Sequence, residues 1–588
     1  NDTATGNIVN ISGGSIGGVV RGGNSNGAAT GNVVTVSGDA TAVGVTGGSS
    51  DSGNAAGNTV TISGNATTPL VHGGLSYAGS AIGNTVIIIS GSFNGAVYGG
   101  TVLGGTSNDT ATGNTVIIHN GSANTVVGGF SGVGDATDNT VEIRGGSVTN
   151  AIRGGMSAGE ARRGNILHIN NAMISTTATI ANFENYRFTL PASAIGSGQA
   201  VLTTSGNVDL GSNANVSTHF TGIPAAALRV GQQAILISTS NPMSGSVSGT
   251  SSSQYAFGAT DYTFDVALEN GDTALVATLA GKEVNQNKAG AYLYGASARL
   301  AALTSGADHM VSLLDNWQHS SQTPTSAGFR SFVSIQGSTI KTRTGSSVNN
   351  NGASFALGGA LDTATRLGML TTGVFAEGGI GSYDSYSRFG WGDGDTWHYG
   401  IGVFAKHSFT NHLYLEGSAR IGRAKADFDG KGSVSDLHYN SEGNYWGAHA
   451  GVGVDYPLTQ VASVDTYAKL LWTHQDSDTV TTRAKERLSF DSADSLRSRL
   501  GTRYRHTIEQ NLRAHVGVGW EYEFDGKARA KLDGTKIAHE PETQGHSALV
   551  EAGIEWRATK SWSVNANATA MGGQRRGLAG YAQATYRF

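Results

Sequence analysis

Gly-x-Ser-x-Gly, a spacing that can present a nucleophilic serine on a strand-to-helix elbow, occurs twice in this chain of 588 residues, as Gly13-Gly14-Ser15-Ile16-Gly17 and Gly155-Met156-Ser157-Ala158-Gly159. Both matches sit in glycine-rich corners with no helix to follow, and 87 glycines make such matches common by chance. The first 281 residues hold four histidines: His72, His119, His168 and His219. His72 takes an outward position between Val71 and Gly73, in line with Arg21, Thr46, Tyr98, Val127 and Arg153, so the column reads as varied, solvated surface. Acids in this half are scattered singly, which leaves paired-carboxylate chemistry without support. Asp384, Asp393 and Asp395 cluster in a predicted long loop where carboxylates could hold a divalent cation, but isolated loop acids are ordinarily solvated. Gly378-Gly379-Ile380-Gly381 and Gly451-Val452-Gly453 look like fragments of nucleotide loops, yet both fall at or inside predicted strands with no helix after them. The chain is therefore read as a non-enzyme with no catalytic residues, no metal, no cofactor and no nucleic-acid partner.

What positions these residues is two halves of different composition. Before Lys282 there is no lysine, and 281 positions carry only 14 acids and 7 arginines; most of the charge follows, as do all eight tryptophans.

From Ala327 to Phe588 apolar and polar residues alternate in roughly ten-residue runs, the length that spans a bilayer as a tilted strand. Tight polar turns near Thr363, Thr410, Thr459, Glu509 and Thr559 recur about 50 residues apart, and the connections between them are mostly long, glycine-rich and charged. Each such unit is one hairpin. The strands predicted are Phe329–Ile340, Ala353–Leu361, Leu367–Gly379, His398–Phe409, His412–Ala426, Asn444–Tyr456, Val464–His474, Leu496–His506, Leu512–Phe524, Ser547–Ala558, Trp562–Met571 and Leu578–Phe588. Twelve is an even, closed count, and closure is required because an open edge in lipid leaves backbone groups unpaired. Trp391, Trp397, Trp446, Trp472, Trp520, Trp556 and Trp562 fall at or near predicted strand ends, where indole favours the headgroup level.

The amino-terminal half is a repeat. Asn7, Asn32, Asn58, Asn84, Asn114, Asn139 and Asn165 open successive segments spaced 25, 26, 26, 30, 25 and 26 residues apart, each with aliphatic side chains two and four residues on, as in Val60 and Ile62. A second strand in each unit places an aliphatic residue two before a Gly-Gly pair: Val20, Val45, Val71, Val97, Val126 and Ile152. Period two within strands and a fixed period between them describe a solenoid, in which stacking buries a stripe that one coil cannot bury alone. Leucine-rich repeats are excluded because residues 1–165 contain only Leu70, Leu75 and Leu103, and propeller blades need about 40 residues. A right-handed parallel β-helix of six to seven coils over 1–169 fits best, two strands per coil being fixed directly with room for a third. The asparagines are expected to form a ladder of side-chain amides at the corners. Residues 170–281 lose the Gly-Asn period and read as a capping β-region that ends the solenoid. In 282–326, loosely helical spacing of Leu293, Leu300, Leu303, Met310, Leu313 and Leu314 predicts a linker helix weakened by Gly290, Gly295 and Gly306, one that needs support from its surroundings.

Solenoid, capping region, helix and twelve-strand barrel ending in Tyr586-Arg587-Phe588, taken in order, resemble the classical monomeric autotransporters of type V secretion over the whole chain. The resemblance implies a barrel in the bacterial outer membrane, assembled by the barrel-assembly machinery with Tyr586 and Phe588 as the assembly signal. It implies too a helix through the lumen and a passenger that emerges to fold on the cell surface. Ala582 and Ala584 are smaller than the family's usual apolar residues. The absence of cysteine is compatible with export, since no disulfide can lock a loop beforehand. Glu283-Val284-Asn285-Gln286-Asn287-Lys288 partly matches the cleavage segment of the serine protease autotransporters, making Asn285 and Asn287 candidate cleavage residues, although Gln286 replaces the second asparagine of that motif. Gly-Asp-Ser-Gly is absent. The expected function is display of an adhesin or self-associating module, with outer-membrane lipid, host surfaces or neighbouring passengers as partners and Arg21, His72, Tyr98 and Arg153 as its surface column. The alternative is the scaffold of a secreted solenoid enzyme, a protease or polysaccharide-active protein, whose catalytic part lies upstream of Asn1.

Overall fold

A computed structural model describes residues 2–248, 252–315, 317, 328–345, 347–387 and 390–588. The chain forms two compact units, Asn1–Ala256 with Asp261–Glu283, and Phe257–Thr260 with Val284–Phe588.

The first unit is the parallel solenoid. The first five coils have three strands each, as in Ala55–Ala56, Thr59–Ile62 and Leu70–Ser76, the two-residue strand filling the space left open by the period. Corresponding strands pair in register: Val60 lies between Val34 and Val86, Ile62 between Val36 and Ile88, and all are buried. The asparagine column is a continuous ladder, exposed at Asn7 and buried from Asn32 to Asn165. Asn58 Oδ1 accepts from the backbone N–H of Asn32 at 3.0 Å and from its Nδ2 at 2.9 Å, while Asn58 Nδ2 donates to Ala29 O at 2.9 Å and to Asn84 Oδ1 at 2.9 Å. The same pattern repeats through Asn165, whose amide turns instead to the carbonyls of Ala136, Ala161 and Asn182 and ends the ladder. The glycine before each asparagine holds a left-handed backbone, φ +61° at Gly57 and +62° at Gly83, and Asp138 adopts it at +58° in the one unit that lacks that glycine. Within the Gly-Gly pair, a Cβ on Gly74 would lie 2.5 Å from the Asn84 amide, so the ladder needs a bare backbone beside it.

The expected boundary at residue 170 is not a break. The strands Asn185–Pro191, Asp209–Thr221 and Ser244–Val247 continue the central parallel sheet to ten strands. Larger rings, Tyr186, Phe188 and Phe220, take over the core where valine and isoleucine leave off, and the Gly-Asn signature disappears although the stacking does not. Chain direction reverses only at Gln233–Thr239, which pairs antiparallel with Ala274–Val284.

Among the described residues, twelve antiparallel strands close the second unit: β1 (Gly328–Arg343), β2 (Ser347–Thr365), β3 (Gly368–Tyr386), β4 (Trp391–Phe409), β5 (Leu413–Lys431), β6 (His438–Pro457), β7 (Ala462–Gln475), β8 (Ala493–Glu509), β9 (Leu512–Glu523), β10 (Gly545–Trp556), β11 (Trp562–Gly573) and β12 (Arg575–Arg587). The predicted start, Ala327, lies outside the described residues. β1 pairs with β12, Gln336 opposite Tyr581, so no edge is left. The tight turns fall where the spacing put them. Strands β2 to β6 are longer than predicted, 19 or 20 residues each, because polar stretches that read as loops continue the pairing. Asp384, Asp393 and Asp395 are therefore strand residues, Asp384 directly opposite Asp393, and do not form a loop cluster. The exposed outward residues Trp397, Trp446, Trp472 and Trp520 lie inside their strands, so what looked like strand ends is the level of the membrane surface.

Replacing Asn84 by Ala should lower solenoid stability by about 2–4 kcal/mol, since it strips the acceptor from the buried N–H and amide of Asn58. Denaturant unfolding of the parent and variant chains, followed by far-UV circular dichroism, measures the difference.

Candidate functional site

The lumen of the barrel holds a helix. Gln286–Ala289 forms one turn capped by Asn285, whose side chain accepts from Lys288 N; a 3-10 turn over Gly290–Tyr292 leads into α1 (Leu293–Asp315). The predicted segment 282–326 extends past it to residues outside those described. Among the described residues no helix is long and apolar enough to cross a membrane, and α1 is buried on nearly every side by the barrel wall. The glycines that weaken it in isolation are points of close approach. A Cβ on Gly295 would sit 2.3 Å from the Tyr439 hydroxyl, and one on Gly306 2.9 Å from Arg420 Nη1.

The wall meets the helix in three layers. At the long-loop end Tyr292, Leu293, Ala296 and Ala298 pack among Tyr383, Phe428, Tyr439, Leu488 and Phe490. At the tight-turn end Met310, Leu313, Leu314 and Trp317 pack on Phe332, Phe375, Phe404 and Tyr581. Between them the contacts are ionic. Asp308 accepts from Arg497 at 2.8 Å, Arg499 at 2.7 Å and Arg575 at 2.5 Å, and the three guanidiniums share Glu521 on the wall. Asp315 accepts from Arg503 at 2.6 Å and is bonded to Lys469, which also reaches Glu416 at 2.6 Å. Wall cations take helix carbonyls as well: Arg420 Nη2 donates to Leu303 O at 2.6 Å, Arg497 Nη2 to Thr304 O at 3.1 Å, and Lys406 Nζ to Leu314 O at 2.8 Å. The Lys406 and Lys469 charges lie near the C-terminus of α1, where the helix dipole favours cations. These are hydrogen-bonding and charge-holding groups arranged around a plug. Among the described residues no group of histidine and carboxylate side chains could hold a metal ion.

The arginine rail was missed from sequence, though a signal existed. Arg497, Arg499, Arg503 and Arg505 fall at odd positions of β8 while Leu500 and Tyr504 fall at even ones, the period-two alternation that points one set into the lumen. Tyr586 and Phe588 stand on the outer face of the barrel seam: Tyr586 is paired with Ser331 and Trp562, Phe588 N donates to Phe329 O at 3.1 Å, and the Phe329 and Phe588 rings are 5.4 Å apart. Asn285 is engaged as the helix cap and Asn287 is exposed.

The column Arg21, His72, Tyr98 and Arg153 is not the solvated surface expected. Arg21 is exposed, but His72 is 8 % exposed, and Thr46 and Val127 in the same column are buried. Gly-Gly separates this column from the next one without placing a side chain between them, and the two columns touch. His72 Nδ1 lies 2.7 Å from Thr101 Oγ1, its ring stacks on Tyr98 at 5.2 Å, and Tyr98 meets Phe130 edge-on at 6.0 Å.

A family model described as the autotransporter beta-domain matches residues 331–569. Solved structures similar to the chain include the translocator domain of the autotransporter NalP from Neisseria meningitidis (17 % identity, 51 % of this chain and 100 % of that one, TM-score 0.41). The beta domain of the Bordetella autotransporter BrkA is similar at 14 % identity (44 % and 98 % of the two chains, TM-score 0.36), as is the transport unit of AIDA-I from Escherichia coli, also at 14 % (49 % and 98 %, TM-score 0.35). No curated protein matches.

Two measurements follow. Replacing Asp308 and Asp315 together by Ala should unpair buried guanidiniums and loosen the plug, so planar-bilayer conductance of the double variant should exceed that of the parent while strand content is unchanged. For His72, burial pushes the imidazole down from 6.5 to about 4. The unfolded chain then takes up the proton first, so stability present above pH 6.5 is lost as pH falls towards 4, by up to roughly 3 kcal/mol at ~1.4 kcal/mol per unit. His72→Phe keeps a ring on Tyr98 and cannot titrate; its melting temperature should fall less on acidification than that of the parent.

Proposed function

We propose that this chain, an outer-membrane protein of type V secretion by virtue of its autotransporter beta-domain, displays its solenoid on the cell surface as an adhesion or self-association module. The observation that carries the reading is the outward face of the ten-strand sheet. Thr59, Thr85, Thr115 and Thr140 stand in register on consecutive strands, with Thr61, Ile87 and Ile117 beside them, all half-buried. Short β-branched side chains in straight columns make a flat, low-charge surface, on which a second flat surface can be laid with little loss of side-chain entropy. Outer-membrane lipid around the barrel, the assembly machinery acting on the Tyr586 and Phe588 seam, and a neighbouring cell or host surface are the partners that this reading requires.

One cluster favours the alternative of a solenoid enzyme. On the same face His168 Nε2 lies 3.0 Å from Thr189 Oγ1, and Glu142 stands on the other side of the ring. Glu142 is 3.9 Å from His168 Nδ1, however, and is bonded to Arg144 at 2.6 Å and Asn170 at 2.7 Å. A carboxylate so engaged does not orient the imidazole, and the adhesive reading is the better supported.

Cells expressing the full chain should settle from suspension faster than empty-vector cells. Thr85→Lys with Thr115→Lys should abolish the difference by like-charge repulsion between facing sheets, with antibody labelling of the surface unchanged. Equal settling of parent and empty-vector cells would sink the adhesive reading and favour the enzyme.

A further inference from the structure

Four short strands, Asp478–Thr481, Arg487–Phe490, Ala530–Leu532 and Thr535–Lys536, form a small sheet from the two longest connections of the barrel, β7 to β8 and β9 to β10. At the turn of its first hairpin sits Glu486, 1 % exposed. Its Oε1 accepts from the backbone N–H of Ala259 at 2.9 Å and the Thr260 hydroxyl at 2.7 Å. Its Oε2 accepts from the Tyr292 hydroxyl at 2.6 Å and the Thr482 hydroxyl at 3.2 Å. Burial pushes the Glu486 carboxyl above its ordinary range, while these donors pull the other way.

The two oxygens thus hold two separate stretches of chain. Ala259 and Thr260 precede the linker that contains Asn285 and Asn287, and Tyr292 follows it. Residues 257–260 belong to the compact unit of the barrel although they lie upstream of the linker in sequence. Gly258 is shaped for this approach: its φ is +62°, and a Cβ there would sit 2.4 Å from Glu486 Oε2 and 2.6 Å from Ala484 Cβ. Ala259 is fully buried in the same apolar cluster as Tyr292, Leu488, Phe490, Leu532 and Ile537, and its carbonyl accepts from Asn285 N at 2.8 Å. On the downstream side Gln286 makes a second attachment, donating to Lys536 O at 3.1 Å and accepting from Ala538 N at 2.7 Å.

We propose that the small sheet is a docking site for residues 257–260, with Glu486 as its anchor, and that it keeps the upstream chain attached to the barrel when the covalent linker between Thr260 and Tyr292 is cut. A buried carboxylate that accepts a backbone N–H and a hydroxyl from one strand makes charge-assisted bonds, the stronger kind, in a site that water does not reach. Removing the carboxylate leaves the Ala259 N–H buried and without an acceptor, so that docking then costs the desolvation of that group with nothing to offset it. This holds whatever the solenoid binds.

The test uses the full chain in detergent with a site-specific protease sequence inserted after Glu283. After complete cutting, the solenoid fragment of the otherwise unaltered chain should co-elute with the barrel on gel filtration. Glu486→Ala should release it, and Thr260→Val, which changes only the upstream side, should raise the released fraction about tenfold, equivalent to about 1.4 kcal/mol. Tyr292→Phe, on the barrel side of the cut, should release no more than the unaltered sequence. Unheated gel migration of each variant shows that the barrel itself is folded. Separation of the fragments from the unaltered sequence on cutting overturns the proposal, as does co-elution with both Glu486→Ala and Thr260→Val.

Discussion

Asp308 and Asp315 sit inside a wall whose inward side chains include Arg497, Arg499, Arg503, Arg575 and Lys469. Charges held away from water are tolerated only when paired and fully hydrogen-bonded, and breaking such a pair typically leaves an uncompensated ion at about 3–5 kcal/mol. Wall and helix are therefore incomplete without each other. The wall carries Glu521, Glu416 and Glu551 of its own, so its cations are never wholly bare, but α1 supplies Asp308, the second carboxylate beside Glu521 that Arg497, Arg499 and Arg575 hold in common. Glycines at 295 and 306 let the helix come near enough for this, at the expense of its own propensity.

The solenoid answers the same demand with neutral groups. Each buried asparagine amide bonds to the coil on either side, so the polar corner of one coil is satisfied only by its neighbours. That is the polar counterpart of the valine and isoleucine columns, and together they make the coils interdependent. Where the ladder ends at Asn165, the core changes from aliphatic side chains to rings and the stack goes on.

What could be read from the sequence was whatever repeats or alternates. The asparagine period set the coils and their register, and the turn spacing with the outward tryptophans set the barrel. Residues 170–281 misled because stacking by Tyr186, Phe188 and Phe220 leaves no short motif to count. Strand lengths misled because Asn349 to Asn351 are polar on both faces and Ser382 and Asp384 continue the outward row of Ile380 with polar side chains, so alternation fails as a signal once a strand leaves the lipid. The His72 column misled because alternation tells inward from outward but cannot show that two outward columns touch each other across a pair of glycines. Glu486 could not have been found by pattern at all, since Thr260 and Tyr292, the partners that give it a role, lie 226 and 194 residues away in sequence.

The strands that outrun the membrane have a mechanical consequence. β3 has 19 residues where about 9–11 suffice to cross the hydrocarbon. The surplus of about eight residues, at roughly 3.3 Å each and tilted by about 45°, raises the β2 to β6 side of the rim on the order of 20 Å above the lipid. β9, β10 and β11, at 12 residues each, leave almost no surplus. The opening is thus walled high on one side and low on the other, so that one flank of anything at the mouth is held off the headgroups and the opposite flank is not.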